Sequence, residues 1–184
     1  PALVASALRH GILLDVVEAN YDQVVQEALD PGSTIHQAQC DAVLLAIDHR
    51  GLPLDGANVA GCLNYLDTIR SGIRGNNLCI VQTIPRPPEA LFGNADLAIS
   101  ETLRNAIDAV NRGIADGIAG TPDLLCDVAG LAETVGLAEW HDPTLWNMAK
   151  VPFNSRFLPS YAEQLSRIVA ALRGKSRKCL VLDL

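Results

Sequence analysis

The chain has 184 residues, 49% hydrophobic and 19% charged, with fourteen Lys+Arg against twenty-one Asp+Glu for a net charge of −7. That length supports one domain with a sizeable core, and the chain is too apolar to be disordered. Its acidity and its 4% aromatic content argue against a nucleic-acid coat, a basic membrane-surface protein or a base-stacking platform.

Residues 1–10 read as a helix, with Pro1 at the first turn, Leu3/Ala7 and Val4/Leu8 pairs four apart, and Gly11 as a stop. Residues 13–19 read as a short strand centred on Val16 and Val17. Tyr21, Val24, Val25, Ala28 and Leu29 fall on one face of a helix, which Asp30-Pro31-Gly32 breaks. The unbroken apolar run 42–47 suits a strand buried on both faces, as in a parallel sheet. Val59, Cys62, Leu63, Leu66, Ile69 and Ile73 then mark a long helix, and 78–84 a strand that Pro85-Arg86-Pro87-Pro88 ends. Leu103, Ile107, Val110 and Ile114 lie on the next helix, followed by a strand at 124–128 and a short helix at 129–135. Residues 138–156 show no period. Pro159 opens a helix with Tyr161, Leu165, Ile168, Val169 and Leu172 inward and Gly174 closing it, and 179–184 form a last strand.

This alternation predicts an α/β fold, a doubly wound, mostly parallel sheet flanked by helices on both faces. A sequence that opens in a helix and closes in a strand leads to the expectation of a segment of a longer protein. No run reaches the roughly 18 apolar residues of a membrane span, and no signal-peptide pattern opens the chain. Cys40, Cys62, Cys79, Cys126 and Cys179 are scattered, which predicts reduced, mostly buried thiols in a cytoplasmic protein.

Ligands of wound sheets sit at the carboxyl ends of the strands. The candidate binding residues are therefore Asn20 and Tyr21 after the first strand, Asp48, His49 and Arg50 after the second, Thr83 and Arg86 after the third, and Asp127 after the fourth. Asp48-His49-Arg50 is the densest cluster: an Asp orients a His base while an Arg holds an anion, or the tripeptide is a solvated loop with a local ion pair. There is no G-x-S-x-G elbow, and Ser33, Ser155 and Ser160 read as helix caps. Cys179 follows Lys175, Arg177 and Lys178 but opens an apolar strand. His10, His36, His49 and His141 share no metal-ligand spacing, His141-Asp142 before Pro143 reads as a loop cap, and no phosphate-loop motif occurs.

The stretch Gly174-Lys175-Ser176-Arg177-Lys178-Cys179-Leu180-Val181-Leu182-Asp183-Leu184 resembles the opening of the haloacid dehalogenase-type (HAD) domain in FkbH-like proteins. Tyr21-x-Gln23, Leu29-Asp30-Pro31-x-Ser33, Asp41-Ala42-Val43-Leu44-Leu45, Asp142-Pro143-x-Leu145-Trp146 and Lys150-Val151-Pro152-Phe153 resemble the amino-terminal domain of the same family, in the same order. That domain is similar to SGNH (GDSL-type) hydrolases, a flavodoxin-like three-layer sandwich. The resemblance implies an SGNH-like domain over 1–174, lacking its first strand, and a linker with the first strand of a truncated HAD domain over 175–184. It gives Asp183 the roles of catalytic nucleophile and magnesium ligand, in a complete HAD domain only. It further implies Mg2+ for that complete domain and no cofactor for this fragment. The partners it implies are an acyl carrier protein and the downstream HAD domain, with no nucleic acid or membrane.

Such enzymes load a glyceryl unit from a bisphosphorylated glycerate onto the carrier for polyketide biosynthesis. Two departures stand out. The oxyanion asparagine of SGNH hydrolases falls nearest Asp48, an acceptor when ionised. The Asp-x-x-His before the last helix is missing, since Leu145 stands three places after Asp142 and Val151 precedes Pro152. The expectation is a non-catalytic domain for carrier-protein or pantetheine-arm binding; the alternatives are an esterase or acyl hydrolase and a purely structural module.

Overall fold

The structure is a computed structural model that describes residues 1–20, 22–54, 57–73 and 77–175. In chain order the described elements are α1 (Ala2–Arg9), α2 (Val24–Leu29), α3 (Thr34–Gln37), β1 (Ala42–Leu45), α4 (Val59–Ile73), β2 (Leu78–Gln82), α5 (Leu103–Ile118), β3 (Leu124–Cys126), α6 (Val128–Val135), α7 (Leu137–Trp140), α8 (Pro143–Ala149) and α9 (Leu158–Leu172). Short 3₁₀ turns stand at His49–Gly51, Gly93–Ala98 and Ser155–Phe157. The chain divides into two compact units, Val17–Asn154 and a second built from Pro1–Val16 with the described residues from Ser155 onward.

The larger unit holds the sheet. Its strands run β1-β2-β3, all parallel, with Ala42 opposite Leu78 and Ile80 opposite Leu124. Val43, Leu45, Ile47, Cys79, Val81 and Ile84 join Leu66, Ile69 and Ile73 of α4 and Ile107, Val110 and Ile114 of α5 in one core. Side chains alternate across a strand, so Ile80 and Cys126 point the other way. They are 3% and 0% exposed, so the sheet is covered on both faces. This is the three-layer α/β architecture that the alternation predicts.

A buried ion pair ties these layers at the amino ends of the strands. Arg70, near the end of α4, donates from Nε and Nη2 to Asp123 Oδ2 at 3.2 and 2.7 Å. Its remaining donors reach Asp67 Oδ1 at 2.9 Å and the Gly117 carbonyl of α5 at 3.3 Å. Asp123 Oδ1 accepts the Cys79 amide at 3.1 Å, and the Asp123 side chain is 0% exposed. At the other end of β2, Asn111 of α5 brackets Ile84: the Ile84 amide donates to Asn111 Oδ1 at 2.7 Å, and Asn111 Nδ2 donates to the Ile84 carbonyl at 2.8 Å. This bracket satisfies the backbone just before the prolines that end the strand.

In the smaller unit α1 packs against α9 through Ala7, Ile12 and Ala170. Both helices close as their glycines predict. Gly11 and Gly174 have φ of +73° and +65°. The paired bonds Gly11 N–H to Leu8 O with Ile12 N–H to Ala7 O, and Gly174 N–H to Ala171 O with Lys175 N–H to Ala170 O, are Schellman closures. Glu163 of α9 accepts from Ser6 at 3.0 Å and Arg9 at 2.9 Å through Oε2, and from Arg167 at 3.0 Å through Oε1, where His10 Nε2 also lies at 3.0 Å. The Ser6 hydroxyl, then Arg167 and His10, hold its carboxyl down to about 2.

The structure corrects part of the sequence reading. Residues 13–19 join no ladder; Leu13 is 91% exposed and Val16 and Val17 are exposed, so these apolar side chains find no sheet face to bury. The strands end earlier than their apolar runs, at Leu45, Gln82 and Cys126. Residues 138–156, without period in the sequence, contain the rest of α7, all of α8 and the start of the last 3₁₀ turn. These elements are too short to display a helical repeat. The last strand expected at 179–184 lies outside the described residues.

Two outcomes follow from these ion clusters. Asp123→Ala strands the Arg70 guanidinium in the interior and is expected to cost about 3–5 kcal/mol in urea unfolding. Glu163 has a lowered folded-state pKa, so its contribution is full above its ordinary value of 4.5 and fades as pH falls toward about 2. Glu163→Gln is therefore expected to melt below the parent chain at pH 7, with the gap narrowing between pH 4.5 and 2 in calorimetric scans.

Candidate functional site

The carboxyl ends of the three strands bring together most of the predicted residues. Beyond β1, Asp48 caps the turn His49–Gly51, accepting the Arg50 amide at 2.8 Å through Oδ1 and Arg50 Nη1 at 2.9 Å through Oδ2. Beyond β2, Arg86 pairs with Glu133 of α6 at 2.7 Å and Asp108 of α5 at 3.3 Å. Its charge is thus spent inside the fold. Beyond β3, Asp127 caps α6: Oδ1 accepts the Thr83 hydroxyl at 2.8 Å and the Gly130 amide at 3.1 Å, while Thr83 Oγ1 takes the Ala129 amide at 2.8 Å. Asp127 is a structural cap.

Two imidazoles meet at this rim. His49 lies edge to face with His141, ring centroids 6.1 Å apart at 78°. His141 Nε2 is 2.9 Å from the Arg86 carbonyl, which can only accept, so the ring carries its proton on Nε2. Its Nδ1 is buried without a hydrogen-bond partner. Burial lowers the His49 pKa, helped by Arg50 and His141 and opposed by Asp48 and Glu89. The ring is neutral at pH 7.

Helix α8 adds residues that do not follow a strand and so escape the strand-end rule. Asp142 caps it, accepting the Thr144 and Leu145 amides at 3.0 Å, with Pro143 in its first turn, as the loop-cap reading anticipated. The Arg50 guanidinium carbon lies 4.1 Å from the centre of the Trp146 ring, and Lys150 Nζ lies 5.1 Å from it. Lys150 terminates the helix in the left-handed region at φ 55°. The available signal was Trp146 and Lys150 four apart, one helical turn, just after an Asp-Pro cap.

Other candidates fall elsewhere. Asn20, expected beyond a first strand, donates from Nδ2 to Glu27 Oε1 of α2 at 2.9 Å, and no strand precedes it. Tyr21 and Asp183 lie outside the described residues. Ser33 is the predicted cap, of α3: its hydroxyl donates to the Glu27 carbonyl at 2.8 Å, near His36 Nδ1 at 2.9 Å. His36 Nε2 meets the Gly72 carbonyl at the far end of α4, so this Ser–His contact lies away from the rim. Cys40, Cys62, Cys79 and Cys126 are free thiols, the last three buried. Burial, with Asp127 beside it, pushes the Cys126 thiol up to about 11, the reverse of nucleophile activation. Among the described residues no three His, Cys, Asp or Glu side chains gather as a metal site. Among them, too, no helix is long and apolar enough to cross a membrane.

No protein-family model matches the chain, and no curated protein matches it. Among solved structures it is similar to the N-terminal part of the protein BF1531 from Bacteroides fragilis, which contains a phosphatase domain and was crystallised with Mg. The TM-score is 0.85 at 18% identity, over 97% of this chain and 50% of that one. The chain thus spans half the length of that structure. At this identity the likeness establishes a shared fold.

Proposed function

We propose that this chain is the amino-terminal SGNH-like domain of an FkbH-like protein, and that it acts without catalysis of its own as a docking platform for an acyl carrier protein. A downstream HAD-type domain, with Asp183 as its nucleophile, would supply the glyceryl transfer and its Mg2+. The shared fold with the N-terminal part of a phosphatase-domain protein supports this placement.

The observation that carries the non-catalytic reading is the commitment of the rim. Asp48 accepts from Arg50 where an SGNH hydrolase needs an oxyanion donor, and the Thr83 hydroxyl is locked between Asp127 and Ala129. The side that favours an acidic partner is the Arg50–Trp146–Lys150 group. Arg86, the other cation expected to contribute, is neutralised by Glu133 and Asp108. Arg156 and Lys175 belong to the smaller unit.

The test is calorimetric titration of the chain with a holo acyl carrier protein at low salt. Binding that weakens as salt rises, and that falls about tenfold in Arg50→Ala, is the expected result; absence of binding at low salt overturns the reading. Hydrolysis of a nitrophenyl ester by the chain is expected to stay at the buffer rate, and turnover blocked by a serine-reactive reagent would restore the esterase alternative.

A further inference from the structure

We infer that Arg50, Trp146 and Lys150 form a binding site for a phosphate ester at the carboxyl end of β1. The chemistry is read from the side chains; the identity of the molecule bearing the phosphate rests on the carrier-docking reading above.

The three side chains share one ring. The distances to the Trp146 centre place the two cationic centres at most about 9 Å apart. Asp48 fixes the Arg50 arm through Nη1 and the backbone amide. That leaves Nε and Nη2 of Arg50, the Lys150 ammonium and the Trp146 indole N–H without an acceptor among the described residues. Every one of these groups donates and none accepts. Such a set is complementary to an anion rich in acceptors.

Charge and geometry narrow the anion. A carboxylate is matched best by both arms of a guanidinium fork in one plane, and here one arm of that fork is already on Asp48. A phosphate ester offers acceptor oxygens in several directions, enough for the remaining guanidinium edge, an ammonium on a flexible four-carbon stem and an indole N–H together. The Asp48 carboxylate cancels Arg50, which leaves Lys150 as the uncompensated cation of the three side chains. The exposed Lys150 and Arg50 leave the group open to a ligand delivered from outside. Its location is where wound sheets bind their ligands.

The experiment follows the Trp146 indole N–H resonance of the full chain during titration with inorganic phosphate, 4′-phosphopantetheine and pantetheine. A saturable shift with a phosphate-bearing probe and none with pantetheine is expected, with five- to tenfold weaker binding in Lys150→Gln and in Arg50→Lys. The first variant removes a charge from an exposed stem, and the second keeps the charge while losing the fork. A response to inorganic phosphate as well as to phosphopantetheine assigns the site to free phosphates generally; a response to phosphopantetheine alone assigns it to a protein-borne arm. No saturable shift with either phosphate probe, or unchanged affinity in both variants, overturns the site. A chain that takes up the probes but no holo carrier protein overturns the carrier reading and leaves this site standing; a chain that binds the carrier while the probes stay silent overturns this site alone.

Discussion

The Arg70–Asp123 pair is the constraint on which the sheet depends. It joins α4 to the residue that opens β3, reaches the first turn of β2 through the Cys79 amide, and touches α5 through the Gly117 carbonyl. A charge pair this deep is tolerable only when its lone pairs and protons are met. Here Nε, Nη1, Nη2 and both carboxylate oxygens all have partners. With the amino ends of the strands fixed in register, short strands of three to five residues deliver Asp48, Thr83 and Asp127 to neighbouring positions at the opposite end. The rim owes its layout to a contact at the other edge of the molecule.

At the rim itself the groups that could react are put to structural use. The hydroxyl of Thr83 and the carboxyl of Asp127 hold a strand end to a helix start, and the carbonyl after β2 holds His141. Cys126 is driven away from thiolate by the burial that makes it part of the core. Polarity that remains unspent is concentrated in donors around Trp146. It is on these donors that the proposed recognition of an anion rests.

Much of this was legible in the sequence. The continuous apolar run through Val43 and Leu45, the helical stripe from Cys62 to Ile73 and the terminal glycines Gly11 and Gly174 each have a single local reading, and the structure adopts it. The segment at Val16 and Val17 misled because β-branched residues suit a strand only where a partner and a buried face exist. The proposed cluster is half visible: Asp48-His49-Arg50 follows an obvious strand, whereas Trp146 and Lys150 belong to a seven-residue helix and its cap that periodicity cannot register. Arg86 stands among the strand-end candidates, and its partners lie 22 and 47 positions away, a separation that only tertiary packing closes.

The Asn111 bracket around Ile84 has a chemical consequence over time. One carboxamide serves both backbone groups of a residue, its oxygen accepting and its nitrogen donating, as an adjoining strand would. Spontaneous hydrolysis, in which water replaces the amide nitrogen and ammonia leaves, would convert it to an aspartate and put a second carboxylate oxygen where the donating nitrogen faced the Ile84 carbonyl. The approach to the proline run, and with it Arg86 and the carbonyl that anchors His141, would then lose its splint while the sheet beneath stayed intact. Slow chemical ageing at a single interior amide is thus a route by which this crevice could loosen without unfolding.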